Sequence, residues 1–164
     1  MNVIHEPESC NKVPAVLREG LGWALARIAH AFSAAHNEAL APLALNLRTF
    51  AVLATVSAGS ARSQLEIAQN VGLDKTTLVA TIDDLERRGF VVRKPDPDDR
   101  RARIVGMTSQ GERVLREASE LVRATEARIL AAMPADRAAH TKESLLALLS
   151  GPLYEYFDRA GSCL

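Results

Sequence analysis

The chain has 164 residues, with 20 basic and 20 acidic side chains and a formal net charge of zero. That balance argues against a non-specific polyanion binder with a broad basic footprint, but leaves room for a specific binder with local positive charge. An apolar fraction of 48% with only 4% aromatics means that Leu, Ala and Val must fill the core of one domain, alone or with an oligomerisation element. The first residues carry neither a basic nor an apolar signal region, and the most apolar run, 21–47, is interrupted by Arg27, His30, His36, Asn37 and Glu38. No signal peptide, no membrane span and a cytoplasmic location are therefore expected.

Residues 1–13 are polar and aperiodic, and are expected to form a flexible arm. Pro14 suits the first turn of a helix. Val16, Leu17, Leu21, Ala24, Leu25, Ile28, Phe32 and Ala35 then recur at helical spacing, which predicts one long helix ending before Pro42. Its apolar face is too long for a small domain to cover, so burial against a second chain is expected. Asn46 is placed to cap a second helix, which Ser57 to Ser60 would end. Ser63 and Glu66 make a capping box for a short third helix, with Leu65, Ile67, Ala68 and Val71 on its core side. Gly72 supplies a tight turn, Asp74 caps a fourth helix over 75–88, and Gly89 ends it.

Residues 90–94 and 103–107 read as two strands. Thr108 or Ser109 caps a fifth helix, with Glu112 completing a box for Ser109. Val114, Ala118, Leu121, Val122, Thr125 and Ile129 form its apolar face. Pro134 opens a sixth helix carrying Leu145, Leu146, Leu148 and Leu149, and Gly151-Pro152 stops it. The tail holds Tyr154, Tyr156 and Phe157, three of the seven aromatics, and is expected to dock on its own or a partner chain.

Helix, tight turn, helix and hairpin make a winged helix-turn-helix, which places one helix in a DNA groove. On the fourth helix Leu78, Ile82 and Leu85 share one side. Thr76, Val79, Ala80, Asp83 and Arg87 share the other. Lys75, Thr76, Thr77 and Val79, in its first turns, are placed to reach base edges and phosphates. Ser63 and Gln64, at the start of the third helix, join the expected contact set. For Asp74, Thr76 and Thr77 a purely local role in starting the helix is the competing explanation. Asp83 on the groove side has two explanations: an ion pair with Arg87, repeated by Asp84 and Arg88, or acceptance of a hydrogen bond from cytosine N4. Arg93, Lys94, Arg100, Arg101 and Arg103 lie in or beside the hairpin among Asp96, Asp98 and Asp99. Arginine at such a tip can enter a narrow minor groove.

Three segments carry a family resemblance: Leu73-Asp-Lys-Thr-Thr-Leu-Val79, Leu85-Glu-Arg-Arg-Gly-Phe-Val91 and Asp96-Pro-Asp-Asp-Arg-Arg-Ala102. With Val105-Gly-Met-Thr108 and Gly111 after them, they closely resemble the MarR family of bacterial transcriptional regulators. The resemblance covers nearly the whole chain and is most specific in the wing. It implies a mainly α fold with a small β-hairpin, and a homodimer joined through the first, fifth and sixth helices. It further implies a pseudo-palindromic double-stranded DNA operator and a repressor released by a small aromatic or phenolic ligand. Arg101 matches the family's wing arginine, and Asp99 its acidic partner. The expected organisation is an arm over 1–13, a helical dimerisation region over 14–45 and 109–164, and a DNA-binding domain over 46–108.

A ligand wedged between dimer helices and winged domain would change the spacing of the two reading heads. Trp23, Arg27, His30, Arg48 and Phe50 could line such a pocket, though ordinary packing and surface charge account for each singly. Cys10 raises thiol sensing as an alternative, and near-neutral charge with Asp83 keeps open a winged helix used only for protein contact. Two cysteines near opposite ends do not make a disulfide framework. No metal is expected, because His30 and His36 do not share a helix face and no Cys pair occurs. No cofactor and no enzymatic activity are expected, since phosphate loops, nucleophile elbows and convincing carboxylate pairs are missing from the sequence.

Overall fold

The computed structural model describes residues 13–59, 63–96, 103–151 and 153. Arg100, Arg101, Asp99, both cysteines and the three tail aromatics lie outside them. The fold is mainly helical with one antiparallel hairpin. It divides into two compact units, 1–35 and 36–164, with the boundary inside one helix.

In the first unit the expected long helix is two. The short helix α1 spans Ala15–Arg18 and α2 spans Leu21–Leu40. Gly20 makes the break: its N–H returns to the Leu17 carbonyl, and its own carbonyl accepts from Ala24 at 3.1 Å. Glycine is a poor helix interior residue and an acceptable cap. Pro14 accordingly sits at the N-cap of α1 and not within its first turn. Val16, Leu17, Leu21 and Ile28, predicted to share an apolar face, are all exposed in the single chain.

The second unit begins with the last turn of α2. A 3₁₀ turn over Ala41–Leu43 follows, with Ala44 in the left-handed region at φ 52°. Helix α3 (Leu47–Ser57) is capped by Asn46, whose side chain accepts from Thr49 N–H at 2.9 Å. Helices α4 (Gln64–Val71) and α5 (Lys75–Arg87) flank the turn at Gly72, which takes φ 71°. Strands β1 (Val91–Pro95) and β2 (Arg103–Met107) pair from Val91↔Met107 to Pro95↔Arg103, and Ser63 bridges to Ile104 as a third edge. Helix α6 (Ser109–Leu130) and helix α7 (Ala135–Ser150) complete the unit.

Leu40, Val52, Leu53, Ile67, Leu78, Ile82, Leu85 and Val91 are the largest fully buried side chains, and they lock α3, α4, α5 and β1 together. Ala118, Val122 and Thr125 bring α6 onto this core. Leu65 departs from expectation: it is 68% exposed. It stands more than a quarter-turn of the helix away from the direction shared by Ile67, Ala68 and Val71. Of the two cap candidates for α6, Thr108 is the cap and accepts from Gly111 N–H at 3.0 Å, while Ser109 is already helical and makes no box with Glu112. The Thr108 hydroxyl donates to the Gly89 carbonyl at 2.7 Å, tying α6 to the end of α5. Among the described residues no single helix is long and apolar enough to cross a membrane.

Gly111 is where α6 passes over the base of the wing. A Cβ there would run into the Phe90 carbonyl and lie 2.5 Å from the Met107 sulfur. Gly22 in α2 has open space around it. Gly111→Ala is expected to cost about 3 kcal/mol of stability through overpacking. Gly22→Ala is expected to be neutral or to stabilise by up to about 1 kcal/mol. Urea unfolding of the two variants, compared with the unsubstituted chain, checks both.

Candidate nucleic-acid interface

Helix α5 is the element the turn projects outward. The Asp74 carboxylate accepts from the Thr77 N–H at 2.9 Å and from the Thr77 hydroxyl at 2.6 Å. These bonds, the hydroxyl's first, hold the Asp74 carboxyl below its usual range. The Thr77 hydroxyl is thus committed to the cap. The same holds for Ser63, which accepts from Glu66 N–H and donates its hydroxyl to Glu66 Oε2 at 2.8 Å. Gln64 beside it is half-buried.

Lys75, Thr76, Ala80, Asp83 and Arg87 are exposed along the outer side of α5, with Val79 half-buried at its margin. Leu78, Thr81, Ile82 and Leu85 face the core. Lys94, Pro95 and Arg103 are exposed where the hairpin leaves the body, while Val91 and Val105 at its base are buried.

Asp83 does not pair with Arg87. Its Oδ1 takes the Arg93 guanidinium from β1 at 2.5 Å. Glu86 takes the other arm of the same guanidinium, and its Oε1 also accepts the Arg93 backbone N–H at 2.8 Å. Asp84 instead holds both neighbouring arginines, Arg87 at 2.6 Å and Arg88 at 3.3 Å. The reason is directional: Asp83 and Glu86 are one turn apart on the side facing the strand, so the strand arginine reaches both. Arg88 adds a second tie, donating to the Leu43 carbonyl at 3.0 Å and lying over the Phe90 ring.

These contacts set the titration behaviour. The Arg93 N–H, followed by its guanidinium, holds Glu86 below the usual carboxylate range. For Asp84 burial is the largest single influence and pushes upward, but the bonds from Arg87 and Arg88 together outweigh it. Burial likewise works against the charge on Arg93, and the two carboxylates overcome it.

The expected ligand-pocket residues fall in both units. Within the first, Arg27 lies over the Trp23 ring at 5.9 Å, with Arg27 and His30 exposed. Within the second, Phe50 packs against the core while Arg48 is exposed and lines a cleft with Thr76 and Ala80 of α5. No three His, Cys, Asp or Glu side chains are grouped as metal ligands among the described residues. Sequence reasoning grouped Arg93 with the basic residues of the hairpin and missed its pairing with Asp83 and Glu86. The available signal was an acidic pair three residues apart on α5, followed by an arginine in the next strand.

A helix-turn-helix whose second helix is exposed beside an ion-pinned antiparallel hairpin defines the winged-helix class of DNA-binding proteins. The MarR family model matches residues 45–102. CouR, a transcriptional repressor solved bound to a 23-mer DNA duplex, is 34% identical, with a TM-score of 0.74, over 83% of this chain and 94% of that one. CouR from Rhodococcus jostii, solved with p-coumaroyl-CoA, is 31% identical over 85% of this chain and 97% of that one, with a TM-score of 0.70. A MarR family transcriptional regulator from Rhodococcus is 29% identical over 85% and 99%, with a TM-score of 0.74. The chain belongs to the MarR family of transcriptional regulators.

The depressed carboxylates give a pH signature. Their folded values lie below the unfolded ones, so the stability they contribute is complete above the usual carboxylate range and is lost as pH falls through the folded values. Glu86→Gln is expected to lower the melting temperature at about pH 7. The gap to the unsubstituted protein should close towards about pH 3. A gap that stays constant across thermal melts in that range would contradict the role given to Arg93.

Proposed function

We propose that the protein is a dimeric repressor that binds a pseudo-palindromic operator and is released from it by a small aromatic ligand. The observation that carries this is the outer side of α5, where Lys75, Thr76 and Val79 stand beside a wing fixed to the same helix. Support comes from the similarity to CouR in its DNA-bound form and in its p-coumaroyl-CoA-bound form. On this proposal Lys75, Thr76 and Val79 meet bases and phosphates. Ser63 and Thr77 shape the helix starts that present them, with Gln64 alongside. Arg100, Arg101 and Arg103 belong to the wing's minor-groove contact, with Asp99 holding Arg101 extended. Residues 46–108 read DNA, and 14–45 with 109–164 pair the two copies. Two heads then meet half-sites about one helical turn, roughly 34 Å, apart.

Pairing is supported by what the single chain leaves uncovered. Helix α7 has no buried residue, and Leu145, Leu146, Leu148 and Leu149 are all more than a third exposed. Four leucines on one short helix are rarely left in water unless another surface covers them. The ligand proposal has Trp23, Arg27 and His30 of the first unit contribute to effector binding.

Mobility-shift titration against the DNA preceding the protein's own gene, at several salt concentrations, tests the whole. A specific shift that weakens steeply with salt is expected, because phosphate contacts release counterions. Arg101→Ala should weaken binding by about tenfold or more, whereas Cys10→Ser should leave it unchanged. Leu146→Asp should shift sedimentation from dimer towards monomer and weaken operator binding with it. A monomeric unsubstituted protein would remove the paired-head mechanism.

A further inference from the structure

Arg48 was expected in a ligand pocket, yet its place in the fold is beside the reading helix. It is the second residue of α3 and is exposed. It lines an open cleft of about 410 Å³ shared by the start of α3 and the outer side of α5, together with Thr49, Thr76, Thr77, Ala80 and Asp84. We infer that this cleft seats a backbone phosphate of the operator, held by the Arg48 guanidinium and the Thr76 hydroxyl. The inference rests on the operator-binding proposal above and adds a contact outside α5 and the wing.

The groove dimensions favour a phosphate there. A major groove about 12 Å wide is filled by a helix about 10–12 Å across. Side chains on the outermost face of α5 meet base edges, and its flank meets the sugar-phosphate wall. Thr76 and Ala80 are exposed on that helix, and Arg48 stands across the cleft from them on the neighbouring element. Ala80 is too small to hold the wall away.

Local charge points the same way. Asp84, which lines the cleft, is occupied by Arg87 and Arg88, and the Asp74 carboxylate at the start of α5 by the Thr77 hydroxyl and N–H. The start of α3 supplies little of its own: Leu47 N–H is taken by Asn37 Oδ1 at 2.8 Å and Thr49 N–H by Asn46. Anion binding in the cleft therefore depends on the Arg48 side chain. Charge-assisted guanidinium–phosphate bonds are the strong kind.

A salt-dependence experiment on the full-length protein tests this. Arg48→Ala and Arg48→Gln should bind operator and unrelated duplex about tenfold more weakly at roughly 0.15 M salt, with the slope of log affinity against log salt reduced by about one. Arg48→Lys should keep most of that slope. Thermal melts should show each variant folded at the temperature of the titration. Wild-type affinity and slope in Arg48→Ala would overturn the phosphate seat while leaving operator binding intact. The same result with lost benzoate binding, read by calorimetry, would make the cleft a site for small carboxylates and also overturn it. An unsubstituted protein that binds no DNA at all would overturn both this inference and the proposal beneath it.

Discussion

One arginine on the first strand of the wing sets the geometry on which the interface depends. Arg93 reaches two carboxylates one turn apart on α5, Asp83 and Glu86, and its backbone N–H makes the third bond of the cluster, a second one to Glu86. Single exposed ion pairs contribute only about 0.2–1 kcal/mol. The consequence here is orientation more than energy. A planar guanidinium held by two separate acceptors cannot swivel without losing one of them, so the angle between reading helix and wing is fixed at the sequence positions that matter. At the other end of the hairpin, Thr108 and the side-chain-free Gly111 let α6 close down on Phe90. The wing is pinned at its base on both sides.

The same cluster explains how a chain of zero net charge can present a surface to DNA. Asp83 and Glu86 turn towards the strand, Asp84 towards Arg87 and Arg88, and Asp74 towards Thr77. The acidic side chains of the reading helix are thus directed into internal bonds, and Lys75, Lys94 and Arg103 remain exposed around it. Positive potential is concentrated at a few positions. Such a surface binds random duplex weakly and gains affinity where several contacts coincide.

Features governed by neighbours in sequence are legible in the sequence alone. The caps at Asn46, Ser63 and Asp74, the left-handed glycines 72 and 89, and the hairpin all follow from local hydrogen-bond chemistry and backbone sterics. Features governed by direction across the fold are not. Leu65 looks apolar and periodic, but it stands more than a quarter-turn away from Ile67, Ala68 and Val71 and so points outward. Asp83 and Arg87 have ideal spacing for a pair along the helix, yet a strand arginine approaching from the side takes Asp83 instead. Gly20 could have been read as tolerated within a long helix, and only the backbone path shows that it ends one. Arg48 carries no motif at all. Its position emerges only when the start of α3 packs beside α5.

On the dimer proposed above, modest affinity of a single head and uncovered apolar helices are two demands that one event would meet. In that dimer, a head whose basic and acidic side chains nearly balance would gain little from one half-site alone. Joining two heads rigidly converts the second encounter into an intramolecular one, and the gain holds only if the heads match the half-site spacing. On that proposal the exposed leucines of α7, and in the first unit Val16, Leu17, Leu21 and Ile28, would be covered by the second copy. On the dimer proposed above, hydrophobic burial would therefore set DNA affinity through spacing. A ligand that shifted the paired helices would then release DNA without touching a base or a phosphate, because the cost of a mismatched spacing falls on both heads at once.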